Sequence, residues 1–243
     1  MATELPQPTV LRRTVAFAEA VAQGEMTVEG LTAHKADSVD DAKRMLTEGL
    51  VPVLVDPEGV SLRELRPGVL VEATLAKRNT GISTDTAPIV VALGPGYEAG
   101  KDAHAVIETN RGHNLGRVYL TGYAEPNTGT PGTIGGYGRE RLLRAPCDGR
   151  LYSIRQIGDR VAAGETVAEV KSETQFMPVI SAIDGILRGL VRDGLKVTGG
   201  MKIGDVDPRA VREHCFTISD KSRAVAGGVL EAVMYFLHAQ HTA

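Results

Sequence analysis

The sequence predicts a mixed α/β protein: an α/β layer, a small β-rich module, and a C-terminal helix. Three observations carry this. Apolar runs and amphipathic segments alternate through the first hundred residues, residues 145–206 contain a gap-free internal repeat, and an apolar stripe of helical period lies near the C-terminal end. With 243 residues, 42% of them hydrophobic and 23% charged, the chain is long enough for two modest cores without disulfides or a structural metal.

In residues 9–23, Val10, Leu11, Val15, Ala18 and Val21 fall near one helical face, which predicts a helix that Gly24 stops. A β-leaning stretch at residues 26–33 precedes a short helix at 40–48, with Val39, Ala42, Met45 and Leu46 on its apolar side. Residues 51–55 read as a strand closed by the turn Asp56-Pro57-Glu58-Gly59, and apolar runs at 69–71 and 89–93 read as two more strands. Together these predict a layer with a mainly parallel sheet. Doubly wound layers open with a strand and a glycine-rich turn, whereas Glu4-Leu5-Pro6-Gln7-Pro8 leads straight into the expected helix, so an opening strand is expected to be missing. The segment Gly94-Pro95-Gly96-Tyr97-Glu98-Ala99-Gly100 fits neither GxGxxG nor GxxxxGK[ST]. Pro95 also removes an amide that a phosphate cradle would use, so a structural turn is expected there.

Residues 145–170 align on residues 181–206 at an offset of 36. Asp148-Gly149 matches Asp184-Gly185, Leu151 matches Leu187, Gly158 matches Gly194, Val161 matches Val197, Gly164 matches Gly200 and Val170 matches Val206. The matches fall on turn glycines and on apolar positions, and one copy has too little sheet to bury its own face. The two copies are therefore expected to interlock by an approximate two-fold axis, with Val161 and Val197 in equivalent buried places. The pattern resembles the biotinyl and lipoyl carrier domains, which implies a barrel-sandwich-hybrid fold. Those carriers hold a lysine at the tip of the joining hairpin. Here the joining segment runs from Lys171 to Pro178 with Gln175 and Phe176 at its centre, so no covalent carrier lysine is assigned, and neither biotin nor lipoate is expected to attach.

In residues 222–237, Val225, Val229, Leu230, Val233, Phe236 and Leu237 form an apolar helical face. Gly227 and Gly228 inside it cost about 1 kcal/mol each relative to alanine, which close packing of another backbone would justify.

Composition narrows function. Lys and Arg total 27 against 30 Asp and Glu, aromatics are 4% and Trp is absent, so nothing favours a nucleic-acid partner. Cys147 and Cys215 lack metal-ligand or disulfide spacing and are expected to be buried free thiols. Asp193, Asp205 and Asp207 raise a hard-cation site, but Asp205 is the repeat counterpart of Glu169, so turn chemistry is expected and no metal is assigned. No apolar stretch approaches the ~20 residues of a membrane helix, and residues 1–8 lack the signature of a secretory signal, so no membrane partner and a cytoplasmic location are expected.

The polar, glycine-rich stretch from His104 to Gly129 suits a ligand-facing loop. His104 and His113 could orient a ligand or move protons, or be ordinary surface or capped histidines. Glu108, Asn110 and Arg111 offer a carboxylate, an amide and a guanidinium to a polar heterocycle or phosphate, or form a salt bridge at a strand end. Asn127 belongs to the same stretch, and Lys77 could meet an anion at a strand end or lie on a solvated basic loop.

This stretch, with Gln7-Pro8-Thr9 and residues 53–57, 92–96, 202–208 and 217–221, resembles the accessory-protein family of selenium-dependent molybdenum hydroxylase systems. The resemblance implies a cytoplasmic protein that aids maturation of a hydroxylase or its cofactor by binding, with the hydroxylase or its maturation proteins as partners. Members of that family carry a Rossmann-like strand and glycine-rich turn before the point where this sequence starts, so no cofactor-binding glycine is carried over and no cofactor is assigned. The rival reading is an enzyme acting on a small polar substrate or nucleotide through the Glu108, Arg111 and His113 region. A third reading is a purely structural interaction domain. The expected organisation is a partial Rossmann-like α/β region at 1–100, a polar connecting region at 101–140, the barrel-sandwich module at 141–210 and a helical segment at 211–243.

Overall fold

The computed structural model describes residues 1–242 and shows a mixed α/β chain with several sheets and a long C-terminal helix. It divides into two compact units, one formed by residues 1–61 and 131–217, the other by 62–130 and 218–243. The 1–100 span therefore contributes to both units.

The first unit opens with β1 (Ala2–Thr3), α1 (Ala20–Gln23), β2 (Glu25–Val28), β3 (Leu31–Ala36), α2 (Val39–Thr47) and β4 (Val51–Val55). These strands form a four-stranded sheet in the order β1-β4-β3-β2, parallel except for the β2–β3 hairpin. Glu29 (φ 46°) and Gly30 (φ 86°) turn that hairpin, both left-handed as a tight two-residue turn requires. The Ser38 hydroxyl caps α2 by accepting from Asp41 N at 3.0 Å, and Ala42 and Met45 bury against Ala36 and Leu54.

The helix expected over residues 9–23 is not formed. The segment makes two single 3₁₀ turns, Arg13–Val15 and Phe17–Glu19, before the short α1. Its backbone and arginines are engaged elsewhere: Leu11 O accepts from Leu190 N at 2.9 Å, and Arg13 Nε donates to Leu190 O at 2.8 Å. Arg12 donates to His214 O at 2.6 Å. Tertiary pairing overrides a spacing that local propensity alone would read as helical. Gly24, at φ 89°, does end the segment.

The second unit holds β5 (Val69–Glu72), β6 (Ile89–Leu93), β7 (Glu98–Ala99), β8 (Ala105–Ile107), β9 (Val118–Tyr119), β10 (Gly122–Tyr123) and the last helix, while α3 (Val60–Leu65) spans the passage between units. The single parallel layer expected from sequence is thus two separate sheets. The second has the order β5-β6-β8-β9, with β5, β6 and β8 parallel and β9 antiparallel. Alternation sorts its faces: Val90, Ala92 and Val106 pack with the fully buried Tyr97, while Ile89, Val91, Leu93 and Ile107 face α4 (Asp220–Thr242) through Val225 and Ala232. The 94–100 turn is structural at Gly96, where a Cβ would come within 2.9 Å of Arg78 N. Gly228 lets α4 meet the loop before β9: a Cβ there would run into Gly116 O and lie 2.9 Å from Ile107 Cγ2, whereas a Cβ at Gly227 would meet nothing.

The first unit continues with β11 (Leu142–Arg144), β12 (Gly149–Ser153), β13 (Arg160–Val161), β14 (Thr166–Lys171), β15 (Phe176–Ile180), β16 (Gly185–Leu190), β17 (Lys196–Val197) and β18 (Lys202–Asp207). They make two four-stranded sheets, β11-β18-β16-β13 and β15-β14-β12-β17, around one core. The repeat is visible bond for bond. Val161 pairs with Gly185 as Val197 pairs with Gly149, and the two valines are 5% and 1% exposed. Gly158 N donates to Leu187 O as Gly194 N donates to Leu151 O, both at 2.8 Å. Asp184 accepts from Ala163 N at 2.8 Å as Asp148 accepts from Gly199 N at 2.7 Å. A Cβ at Gly149 or Gly185 would lie 2.8 Å from Val170 Cγ1 or Val206 Cγ1, so both Asp-Gly pairs need their glycine for close approach.

Candidate functional site

In the second unit an open cleft of about 450 Å³ lies at the carboxyl ends of β5 and β6, beside the first turns of α4. In open α/β sheets that edge is where ligands gather, because strand ends, loops and a helix N-terminus converge there. Val71, Leu93, Val225 and Val229 line its apolar body, and Thr109, Lys221 and Ser222 bring polar groups at the start of α4 and the end of β8. Leu75, also in the lining, is held at φ 56°, a left-handed conformation that non-glycine residues rarely adopt. Gly94 ends β6 at φ 83°, and a Cβ there would sit 3.0 Å from Thr109 Oγ1 and 3.9 Å from Leu75 Cδ2.

The loop after β8 is built on Glu108, which is fully buried. Its carboxylate accepts from Asn110 N and from Glu125 N, each at 2.7 Å, tying two loop segments together. Above it the Glu125 carboxylate accepts from Asn110 Nδ2 at 2.7 Å and Asn114 Nδ2 at 3.0 Å; these side-chain bonds hold Glu125 below the usual carboxylate range. Arg111 forms a two-pronged pair with Asp220, the first residue of α4, at 2.7 and 3.1 Å. This network fixes the loop carrying Thr109 next to the turn carrying Lys221 and Ser222.

The other sequence candidates are dispersed. His104 acts as a strand substitute: its Nδ1 accepts from Val90 N at 3.0 Å, its own N donates to Val90 O at 2.8 Å, and its ring meets Phe236 edge-on at 5.6 Å. His113 and Lys77 are exposed, and Asn127 closes a local turn by accepting from Gly129 N at 3.0 Å. Sequence reasoning did not single out Thr109, Asn114, Lys221 or Ser222. They lay inside stretches noticed for glycines and polar content, and only the strand-end geometry separates them from their neighbours.

Asp207 serves the turn after β18, its carboxylate accepting from Arg209 N at 3.1 Å, whereas Asp205 is held by an arginine and not by a turn. Both sit on β18, buried among arginines: Asp205 lies 3.6 Å from Arg141, and Asp207 lies 3.3 Å from Arg188 and 2.6 Å from Arg209. Burial pushes the Asp207 carboxyl up, but hydrogen bonds from Arg209 and the charges of Arg209 and Arg188 outweigh it and hold the group below its usual range. Asp193 is elsewhere, accepting from Ser153 N at 2.8 Å. Among the described residues no group of three or more His, Cys, Asp or Glu could share an ion. Cys147 is half-buried and Cys215 buried, both as free thiols, with burial pushing the Cys215 thiol up. Among the described residues no helix is long and apolar enough to cross a membrane.

No family model matches the chain. An uncharacterized Escherichia coli K12 protein, YqeB, is 50% identical over 235 residues, covering 97% of this chain but 43% of its own length, so the chain spans less than half of the curated relative it matches. Among solved structures, a succinylglutamate desuccinylase/aspartoacylase from Rhodobacter sphaeroides superposes with a TM-score of 0.26 at 24% identity, over 28% of this chain and 22% of that one. The ectoine utilization protein EutE (DoeB) from Ruegeria pomeroyi, in its product-bound form, gives 0.27 at 15% identity over 36% and 27%. Superpositions this partial carry neither fold nor activity to the chain. The comparisons do correct the resemblance drawn from sequence. The relative has no assigned function, the similar structures are of the desuccinylase and aspartoacylase kind, and none points to an accessory protein of a molybdenum hydroxylase. The selenium-dependent maturation role, and the hydroxylase and maturation-protein partners that came with it, are withdrawn.

Proposed function

We propose that the second unit binds a small amphipathic anion, its apolar body against Val71, Leu93, Val225 and Val229 and its charged end at Lys221, Ser222 and Thr109. The observation that carries this reading is the position of the cleft: the carboxyl ends of parallel strands, closed by the opening turns of a 23-residue helix. There the positive end of the helix dipole and the Lys221 ammonium favour negative charge. In this reading the unit is a Rossmann-like layer, and Glu108, Asn110 and Arg111 position the site instead of touching the ligand. His104, His113, Lys77 and Asn127 stay outside the contact set. We read residues 141–210 as a barrel-sandwich module, a proposal supported by the bond-for-bond repeat across its two sheets.

The test uses anilinonaphthalene sulfonate as probe, displaced by a medium-chain alkyl carboxylate or by the alcohol of equal length. The carboxylate should compete more strongly than the alcohol. Lys221→Ala should weaken it about 5- to 30-fold, the loss of a charge-assisted hydrogen bond worth ~1–2 kcal/mol. Ala226→Trp should abolish probe binding by filling the cleft. Probe binding unchanged by Ala226→Trp would sink the reading.

A further inference from the structure

In the first unit the outer face of β16 and β18 gathers more positive charge than its own carboxylates neutralise. Arg188 of β16, Arg12 and Arg141 from the segments beside it, Lys202 at the start of β18 and Arg209 just past its end stand around Asp205 and Asp207. Gly189 admits this crowding: a Cβ there would lie 2.6 Å from Asp205 Oδ1 and 3.2 Å from Leu11 O. Asp207 is bonded by Arg209 at 2.9 and 2.6 Å and lies 3.3 Å from Arg188, but Asp205 reaches Arg141 only at 3.6 Å, beyond a hydrogen bond. Arg12 donates to the backbone at His214 O (2.6 Å) and Thr217 O (3.1 Å), and Arg141 to Gly132 O (3.1 Å). Other carboxylates on the surrounding elements serve elsewhere: Glu19 pairs with Arg13 and Arg192, Glu140 accepts from Gly138 N, and Glu213 is exposed. Among the described residues nothing accepts from the buried Nε of Arg12, Arg141 or Arg188, and the Arg141 and Arg188 side chains are each 8% exposed. Burial, and then the charge of Arg188, hold the Arg12 guanidinium below its ordinary value.

We propose that this face binds a tetrahedral oxyanion, a phosphate or sulfate group, through the Nε groups of Arg12, Arg141 and Arg188. Buried N–H groups in native folds find an acceptor. A water molecule would accept from them and leave the charge unbalanced, whereas an oxyanion does both tasks. Each guanidinium presents Nε and one Nη along an edge spaced for two oxygens of one anion. Arg12, Arg141 and Arg188 come from three separate stretches of chain, and three such edges call for more oxygens than the two of a carboxylate. Lys202, exposed at the start of β18, adds a cation on the solvent side of the approach. The chemistry is common to free phosphate and to a phosphate monoester on a larger molecule. This site belongs to the first unit and does not rest on the cleft of the second.

The experiment is a titration of the full chain with inorganic phosphate at constant ionic strength, followed by calorimetry and by the ¹H–¹⁵N resonances of arginine Nε–H groups. Saturable binding is expected, with shifts at the Nε–H of Arg12, Arg141 and Arg188, each assigned by its disappearance in the Arg→Lys variant. Arg12→Lys and Arg188→Lys keep the charge but remove the fork, and each should weaken binding at least about tenfold, as for loss of a charge-assisted hydrogen bond. Sulfate should compete, and chloride at equal ionic strength should not. Methyl phosphate binding as tightly as phosphate would extend the site to a phosphate group on a larger molecule; its exclusion would confine the site to the free ion. Lys221→Ala, in the cleft of the second unit, should leave phosphate binding unchanged. Melting curves identify the variants that fold, and the Nε–H spectrum of the wild type decides the matter if neither does. Absence of saturable shifts at these three Nε–H groups would overturn the proposal. So would binding that Arg12→Lys and Arg188→Lys spare and Lys221→Ala removes, or chloride competing as well as sulfate.

Discussion

Replacing Gly228 by alanine puts a methyl group where α4 crosses the loop before β9. The new Cβ would overlap Gly116 O and stand 2.9 Å from Ile107 Cγ2, against the roughly 3.5–4.0 Å at which carbon atoms rest, so helix and loop must part by about 1 Å. The movement loosens the layer in which Val225, Ala232, Val229 and Phe236 cover Ile89, Val91 and Ile107. Overpacking of this kind costs about 1–3 kcal/mol, occasionally more, and the gain in helix propensity returns at most ~1 kcal/mol. Gly227→Ala makes the same propensity gain with nothing to strike, so it should stabilise by up to ~1 kcal/mol. The pair is a matched control on adjacent residues. With no Trp in the chain, the assay is urea denaturation followed by far-UV circular dichroism. Equal stability of the two variants, or a more stable Gly228→Ala, would refute the packing of α4 on the sheet.

Three further outcomes follow from particular contacts. Glu108→Gln should destabilise the second unit by about 1–3 kcal/mol, because its amide would set a donor against one of two backbone N–H groups, while Arg111→Ala should cost about 0–1 kcal/mol as loss of an exposed ion pair. Thermal melting of both variants checks the order, and the reverse order contradicts the role given to Glu108. Asp207 has a folded pKa below its unfolded value, so its stabilisation is complete above about pH 4 and is lost as pH falls through the folded pKa. Asp207→Asn should therefore lower the melting temperature at neutral pH, and the gap to wild type should narrow on acidification; a gap that widens would reverse the sign of this linkage. Gly149→Ala and Gly185→Ala should destabilise to a similar degree, since each places a Cβ 2.8 Å from the equivalent valine Cγ1 of its half.

The repeat was legible because its signal lies in residues with no freedom to differ: glycines in left-handed turns or at close approaches, aspartates bonded to turn amides, and inward valines. The strands at 51–55, 69–71 and 89–93 were legible as apolar runs, but not their division between two sheets, since which strand pairs with which is decided by long-range contacts. The segment at 9–23 misled for the same reason: its spacing suits a helix, yet Leu11, Arg12 and Arg13 spend their hydrogen bonds on Leu190 and His214. At the site, sequence marked Glu108 and Arg111 as chemically rich, but in space they shape the loop. The cleft is lined by valines and a threonine that no local pattern distinguishes from core.

The most direct test of the account is an amide ¹H–¹⁵N titration of the chain with a medium-chain alkyl carboxylate. Saturable shifts concentrated at Gly94, Thr109 and residues 221–226, and lost in Ala226→Trp, are the predicted result. Shifts confined to other parts of the chain, or none at saturating ligand, would contradict it.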